Sequence, residues 1–213
     1  NFVQIKETQK SPIYHIKYSI NINKFKSKNK AQIRKRLKIP KNVFVIMTSA
    51  VGILSNPFKD FETLYKAYIN ILNERKNFLL IVIGDKKSNF KSQKFSKKFI
   101  FTNPYPQSEE LIEYYSCADL YIQSSNIETW GLAISEALSC GLPVIASSVG
   151  AIPEQIKGFH RGNTNDPFNF YSINKANGLL FEKNNEKSLQ EMIMWMFLNK
   201  NKMRLLSNNA RSF

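Results

Sequence analysis

Short runs of apolar residues alternate along the chain with longer segments in which apolar residues recur every three or four positions. The runs are bounded by turn residues and predict six β-strands: Val43–Ser49, Phe78–Ile83, Lys98–Thr102, Leu120–Gln123, Pro143–Ala146 and Gly178–Phe181. The periodic segments predict helices at Phe58–Leu72, Ser108–Ser116, Leu132–Ser139, Lys187–Leu198 and Lys202–Arg211. Strands that alternate with helices indicate an α/β fold, with a parallel sheet covered by helices on both faces.

The organisation of the chain is that of one large unit with a shorter leading segment. No internal repeat is present, and no linker divides the sequence after about residue 40. We therefore assign residues 41–213 to one domain and residues 1–40 to a linker or to the start of that domain. The segment Gly158–Asn177 has no period and is rich in Gly, Asn and Pro, which indicates a long loop. Such a loop is either a functional lid or binding surface, or a disordered insertion.

Charge is the strongest bulk signal, since 31 basic residues against 16 acidic ones give a formal net charge of +15. Such a field attracts anionic lipid surfaces, nucleic acid or phosphorylated ligands. The alternative is compositional, with lysines spread over a solvated face. No recognised nucleic-acid-binding motif accompanies the charge, so we do not expect a nucleic-acid partner. Apolar stretches such as Phe78–Ile83 stop far short of the ~20 residues that a spanning helix needs.

Termini, cysteines and histidines add little to this picture. The chain does not begin with Met and shows no signal core, which is typical of a cut through a longer protein. Cys117 and Cys140 stand among apolar neighbours without metal-ligand spacing, so we expect reduced core thiols in a cytoplasmic protein. His15 lies in a strand-like stretch and should be packed, whereas His160 lies in the long loop, within possible reach of a ligand.

The stretch from residue 123 to 155 carries the candidate chemistry. It predicts a strand end, a loop that holds Glu128, and a helix that opens at Gly131 and contains Glu136. The backbone N–H groups near Trp130, Gly131 and Leu132, together with the helix dipole, form a site suited to a phosphate. Glu136 could accept hydrogen bonds from a ribose diol, and Glu128 from sugar hydroxyls. Two solvated helix glutamates remain the alternative for this pair taken alone.

A family resemblance is carried by the same stretch. Glu128 and Glu136 form E-x7-E, and SSNIETWGLAISEALSCGLPVIA resembles the signature PS-x-x-E-G-F-G-L-x-x-x-E-A-x-A-x-G-x-P-V-I-A. NPFKDFETLYKAY, FLLIVIGD and ANGLLFEKNNEKSL resemble further segments of that pattern, and IKYSININKF resembles the start of its donor domain. These motifs cover nearly the whole chain. The chain is identified as a member of the retaining glycosyltransferases of group 1, which have the GT-B fold.

The resemblance implies a Rossmann-like domain, the C-terminal half of a GT-B enzyme, which binds a nucleotide diphosphate sugar, with the N-terminal acceptor domain absent. It assigns Glu136 to the ribose hydroxyls, Glu128 to the transferred sugar near the reacting carbon, and Lys59 to the diphosphate. Gly52, at the first position of the pattern's Gly-Arg pair, would also bind the donor. The loop Asn103–Pro106 would hold the nucleobase, so Asn103 and Tyr105 complete the donor-binding set.

The activity implied is transfer of a hexose, with retention, to a cell-surface polysaccharide, lipopolysaccharide or lipid-linked acceptor. No D-x-D motif occurs, so no metal or other cofactor is expected. The basic segments Lys24–Lys41 and Lys86–Lys98 would then help to hold the protein against anionic lipid on the cytoplasmic face of the membrane. The alternative is a degenerate paralogue, a non-catalytic module that only binds nucleotide sugar.

Several positions depart from the family pattern. Ile53 stands six residues before Lys59, where relatives often carry an arginine, so one phosphate cation is missing. Thr129 and Asp60 replace glycines, and Ser124 replaces a proline. Lys17, Tyr18 and Ser19 replace the Pro-Asn-Gly of the opening turn. The missing cation favours the binding-module alternative.

Overall fold

Six parallel strands form a single sheet in the order β3-β2-β1-β4-β5-β6. The structure, a computed structural model, describes residue 14 and residues 18–90, 95–102, 106–162 and 167–211. The strands are β1 (Phe44–Ser49), β2 (Phe78–Ile83), β3 (Phe99–Thr102), β4 (Leu120–Gln123), β5 (Val144–Ser147) and β6 (Gly178–Phe181). The six predicted strands are confirmed to within a residue at each end. Their continuous apolar runs are those of strands buried on both faces.

In the part of the chain that the structure describes, seven α-helices pack around the sheet: α1 (Lys30–Arg36), α2 (Phe61–Glu74), α3 (Ser108–Cys117), α4 (Leu132–Ser139), α5 (Ile152–Gln155), α6 (Glu186–Leu198) and α7 (Lys200–Ala210). The five predicted helices are present, but α2 begins three residues later than predicted. Asp60 accepts a hydrogen bond at 3.1 Å from the N–H of Thr63 and so caps that helix. The short helices α1 and α5 were not predicted from the sequence.

Two apolar clusters form the core, one on each face of the sheet. Leu64 and Tyr68 of α2 meet Leu189 of α6 on one face. Ile112 of α3 and Ile134 of α4 lie on the other. This arrangement confirms the prediction of helices on both faces. The second cluster also contains Phe25, Ile33 and Ile39, so residues before 41 contribute to the core.

The strands that follow β1 along the chain lie first on one side of it and then, from β4 on, on its other side. From β1 the sheet grows through β2 to β3 on one side, and through β4 and β5 to β6 on the other. A crevice forms at such a reversal, outside the carboxyl ends of the two strands, and open α/β sheets bind their ligands there. The loops that follow Ser49 and Gln123 therefore border the place where a ligand is expected.

The segment from Gly158 to Asn177 contacts the sheet through several of its described residues. Asn169 is fully buried, and its side chain pairs with both the N–H and the C=O of Leu180, each at 2.8 Å. The N–H of Phe159 donates to the carbonyl of Gly178 at 2.9 Å. For these residues the interpretation as a disordered insertion is wrong. His160 is exposed, and its N–H donates to the carbonyl of Tyr171.

Both cysteines are buried free thiols, as the sequence predicts. Burial raises the pKa of Cys117 to about 11 and that of Cys140 to about 12, so both stay protonated at neutral pH. Among the described residues, no helix is both long and apolar enough to cross a bilayer. Residues 15–17, which include His15 and Lys17, lie outside the described residues.

The close approach of the loops after β1 and β2 generates a stability prediction. A Cβ on Gly84 would lie 1.8 Å from the carbonyl oxygen of Ala50, and the φ of Gly84 is +111°. We expect Gly84→Ala to lower the free energy of unfolding by at least about 2 kcal/mol. The melting temperature should fall by roughly 4–8 °C, measured by calorimetry.

Gly162 supplies the matched control for that substitution. Its φ is +92°, but a Cβ there would have no atom of the described residues within 4 Å apart from its chain neighbours. Gly162→Ala therefore carries the backbone strain without the clash and should cost clearly less stability. Equal losses in the two variants would show that the contact with Ala50 has no special weight.

Candidate functional site

Backbone hydrogen bonds tie the loop after β1 to the loop after β4. The N–H of Asp60 donates to the carbonyl of Ser124 at 3.1 Å, and the N–H of Asn126 donates to the carbonyl of Phe58 at 2.9 Å. The two loops thus form one antiparallel bridge, although the strands that precede them are parallel. This pairing sets the positions of the side chains that face the crevice.

Lys59 and Glu128 form an ion pair at this crossing. The ammonium of Lys59 donates to Oε2 of Glu128, and the two side chains are only 17% and 12% exposed. Nε2 of Gln123 donates to the same oxygen at 3.3 Å, and the N–H of Thr129 donates to Oε1 at 3.2 Å. The structure therefore brings together the two residues predicted as catalytic, and it gives the carboxylate three donors.

Gly150, in the loop after β5, packs closely against the backbone of Glu128. A Cβ at Gly150 would lie 1.7 Å from the carbonyl oxygen of Glu128, so a side chain there would displace the backbone of the β4 loop. The φ of Gly150 is +53°, in the left-handed region. Glycine at this position is thus required for Glu128 to stand where it does.

The amino end of α4 opens beside the same carboxylate. Gly131 precedes the helix with a φ of +69° and has no side chain with which to cap the first turn. The position of a Cβ at Gly131 is 3.5 Å from Cγ of Glu128. The carbonyl of Trp130 accepts from the amide of Gln155, and Leu132 is half exposed. The uncapped amides and the helix dipole present partial positive charge to the crevice.

Glu136 lies on α4, one turn further along, and is half buried. Oε2 accepts a hydrogen bond at 2.8 Å from the hydroxyl of Tyr115 on α3. Burial raises the pKa of Glu136, and the hydrogen bond from Tyr115 opposes that shift in part. An acid with one such donor keeps acceptor capacity for a second partner, for example a diol.

A chain of polar side chains runs below the crevice between the two carboxylates. From Glu136 it passes through Tyr115 to Ser49, whose hydroxyl oxygen is 3.5 Å from that of Tyr115 and 3.2 Å from that of Tyr121. The hydroxyl of Tyr121 donates to Oε1 of Gln123 at 2.6 Å, and Gln123 reaches Glu128. These residues were not predicted from the sequence. Alternation along β4, which places Tyr121 and Gln123 on one face, is the signal that could have indicated two of them.

Other predicted site residues have different surroundings. The N–H of Gly52 donates to the carbonyl of Gly84 at 2.8 Å, so this amide is already used within the fold. Ile53 is buried in the apolar core, which explains how the chain accommodates a residue other than arginine there. Asn103 and Tyr105 lie outside the described residues.

The mouth of the crevice has an apolar rim and an adjoining cavity. Phe58 and Ile127, each next to a member of the ion pair, are 54% and 60% exposed. A cavity of about 510 Å³ opens beside Glu128 and is lined by the loops that follow β4, β5 and β6. Its wall includes Ser148, Glu182 and Lys183, which offer both donors and acceptors.

The fold and the site together define a Rossmann-like α/β domain with a charged crevice at its switch point. The chain belongs to the family described as glycosyl transferases group 1, whose sequence profile matches residues 29–213. This match confirms the family predicted from the motifs, and the solved structures described below confirm the GT-B type of fold.

Two curated relatives illustrate the range of the family. The chain is 41% identical over 63 residues to sulfoquinovosyl transferase SQD2 of Arabidopsis thaliana, which is 30% of this chain and 12% of that protein. It is 27% identical over 133 residues to the alpha-monoglucosyldiacylglycerol synthase of Acholeplasma laidlawii, which is 60% of this chain and 29% of that protein. The matched region is thus a minor part of each of these relatives.

Solved structures share the fold at low sequence identity. Sucrose-phosphate synthase of Thermosynechococcus elongatus is similar with a TM-score of 0.72 at 22% identity, covering 91% of this chain and 45% of that one. HepE of Anabaena, solved in complex with UDP-glucose, gives a TM-score of 0.68 at 20% identity, covering 91% and 50%. The chain therefore spans about half the length of these enzymes.

The raised pKa of Glu136 predicts how the stability of the chain depends on pH. Because its pKa is raised on folding, the folded state binds the proton more tightly, and stability falls as pH rises from the ordinary glutamate pKa of about 4.3 through the raised value. We expect Glu136→Gln to melt above the wild type at neutral pH, with the difference vanishing below about pH 4. Scanning calorimetry across this range measures the effect.

Glu191, an exposed residue of α6, supplies the control. Glu191→Gln should leave the pH dependence of melting close to that of the wild type. A Glu136→Gln variant that melts below the wild type at neutral pH would contradict the burial argument.

Proposed function

We propose that this chain binds a nucleotide diphosphate sugar and that the complete protein transfers the hexose, with retention, to a glycan or lipid-linked acceptor. The observation that carries the proposal is the meeting of the Lys59–Glu128 ion pair with the open end of α4 at the switch point of the sheet. Glu136 lies one turn further along the same helix. The cation and the helix amino end suit the diphosphate of such a donor, and the two carboxylates suit the hydroxyls of its ribose and its hexose.

Each part of the donor has a partner in this arrangement. The diphosphate would meet the amides of the first turn of α4 and the ammonium of Lys59. The ribose diol would pair with Glu136, and the hexose would lie beside Glu128, toward the cavity lined by Ser148 and Glu182. HepE, whose solved structure contains UDP-glucose, supports a donor of this class.

Lys59 has two roles in the proposal. In the free chain it neutralises Glu128, and on donor binding it is shared with the diphosphate. As the bond to the anomeric carbon breaks, negative charge grows on the departing phosphate, and a cation already in position stabilises that charge without reorganisation. The proposal assigns this neutralisation to Lys59 and α4, with no metal ion. Retention implies that the acceptor oxygen attacks from the face that the diphosphate leaves.

Thermal stabilisation of the chain by a panel of nucleoside diphosphates and their sugars tests the proposal. A ligand at a hundred times its Kd adds about 2.7 kcal/mol to the free energy of unfolding. For a chain of this size the melting temperature should rise by roughly 5–10 °C. We expect a selective rise with one nucleotide.

The control variants for the panel are Lys59→Ala and Glu136→Ala, which should each lose that rise, and Glu191→Ala, which should keep it. If no nucleotide and no nucleotide sugar stabilises the wild-type chain, the proposed donor site is wrong.

A second function is favoured by one observation, the burial of Ile53 where relatives often carry an arginine. With Lys59 as the sole phosphate cation contributed by the β1 loop in the described residues, the site has less charge with which to stabilise a departing diphosphate. The alternative is a module that binds nucleotide sugar without turnover. Transfer by the complete protein to an acceptor, abolished by Glu128→Ala, would exclude it.

We propose further that the complete protein lies on the cytoplasmic face of an anionic membrane. On and after α1, Lys35, Lys38 and Lys41 are exposed around a common groove, whereas Lys30 and Arg34 are bound to Asp119. Lys41 stands shortly before β1, so this surface lies at the end of the sheet opposite the crevice. A membrane there would leave the crevice open to water.

Co-sedimentation with vesicles tests the membrane contact. Each lysine near an anionic surface contributes about 1 kcal/mol, so replacing Lys35, Lys38 and Lys41 by Glu should reduce binding by on the order of 100-fold or more. Binding of the wild type should also fall with added salt.

The vesicle control replaces Lys66, Lys187 and Lys200 by Glu, which makes the same change in net charge elsewhere on the chain. Equal losses in the two triple variants, or no dependence on anionic lipid or on salt, would contradict the assignment.

A further inference from the structure

Glu128 is held by a buried donor that is itself oriented by a second buried residue. The hydroxyl of Tyr121 donates to Oε1 of Gln123 at 2.6 Å. Nε2 of Gln123 donates to Oε2 of Glu128 at 3.3 Å and to the hydroxyl oxygen of Ser125 at 3.0 Å. Tyr121 is fully buried and Gln123 is 3% exposed, so water does not replace these bonds.

Only one orientation of the Gln123 amide satisfies this set of groups. If the amide were turned, its NH₂ group would face the Tyr121 hydroxyl and its oxygen would face the carboxylate of Glu128, which accepts only. The Tyr121 hydroxyl therefore donates to the amide oxygen, and it can accept from Ser49, whose hydroxyl lies at 3.2 Å. The hydrogen bonds of this set thus share one direction: Ser49 donates to Tyr121, Tyr121 donates to Gln123, and Gln123 donates to Glu128.

The consequence is an asymmetric carboxylate. Oε2 of Glu128 receives Gln123 and Lys59, while Oε1 receives the N–H of Thr129 at 3.2 Å. A carboxylate oxygen accepts two hydrogen bonds, so Oε1 keeps a place for a ligand hydroxyl. Without Gln123, the carboxylate would be held only by the N–H of Thr129 and by Lys59, which is a flexible point charge.

We propose that Gln123, oriented by Tyr121, is a positioning residue that holds Glu128 for the hydroxyls of the transferred sugar and so controls the part of donor affinity that depends on the sugar. The inference rests on the proposed function. The inference goes beyond that function by dividing the donor site into a sugar half around Glu128 and a nucleotide half around Glu136. Each half is held by its own hydrogen bonds.

The nucleotide half has its own support. Glu136 is held by Tyr115, and the polar chain below the crevice joins the two halves through the 3.5 Å separation of the Tyr115 and Ser49 hydroxyl oxygens. This separation is well beyond the usual 2.7–2.8 Å for hydroxyl hydrogen bonds, so it transmits little. Changes at Gln123 should therefore leave the recognition of the nucleotide intact.

Titration calorimetry on the chain with UDP and with UDP-glucose tests the division. In Gln123→Met, which keeps the length of the side chain and removes the amide, we expect the Kd for UDP to stay within about twofold of the wild type. The Kd for UDP-glucose should rise by about tenfold or more, since a hydrogen bond to a charged group is lost. Tyr121→Phe should act in the same direction and more weakly.

Tyr68→Phe is the control for loss of a buried hydroxyl. Tyr68 donates to the carbonyl of Lys98 at 2.9 Å, within the core beside β2 and β3. This variant should lose stability without changing either Kd. Equal weakening of UDP and UDP-glucose in Gln123→Met, or no change in either, would overturn the inference.

A measurement without ligand separates this inference from the proposed function. Hydrogen exchange of the Gln123 side-chain amide, followed by NMR, should be slow in the wild type and at least about tenfold faster in Tyr121→Phe. Unchanged exchange would overturn the orienting role of Tyr121, whether or not a nucleotide binds. Failure of the wild-type chain to bind either UDP or UDP-glucose, beside slow and Tyr121-dependent exchange, would instead count against the proposed donor.

Discussion

The short antiparallel contact between the loops after β1 and β4 is the constraint on which the site depends. The hydrogen bonds between Asp60 and Ser124 and between Asn126 and Phe58 fix the backbone positions from which Lys59 reaches Glu128. Parallel strands bring their carboxyl ends to one edge but leave the direction of the following loops open. The backbone hydrogen bonds between the loops settle that direction and bring together a charged pair of residues that are 69 positions apart.

Much of this architecture could be predicted from the sequence because its signals are local. Continuous apolar runs such as Phe78–Ile83 identify buried strands, and Gly131 with the two glutamates identifies the opening of α4. The helices α1 and α5 have seven and four residues, too few for a period to show. The polar chain through Tyr121 and Gln123 joins side chains from different elements, and only the folded arrangement brings them together.

Departures from the family pattern gain a structural meaning. Asp60 stands where the family pattern has glycine and caps α2, whereas Ile53 stands where the pattern often has arginine and fills the core. The first change stabilises a helix, whereas the second removes a cation. They are thus different in kind, and only Ile53 bears on the chemistry of the crevice.

The apolar rim formed by Phe58 and Ile127 has a consequence for the behaviour of the domain in solution. Both side chains stand more than half exposed at the mouth of the crevice, where two copies of the chain could adhere. A net charge of +15 opposes such contact by mutual repulsion. Added salt screens the repulsion while leaving the apolar attraction in place, so the solubility of the isolated domain should decrease as ionic strength increases.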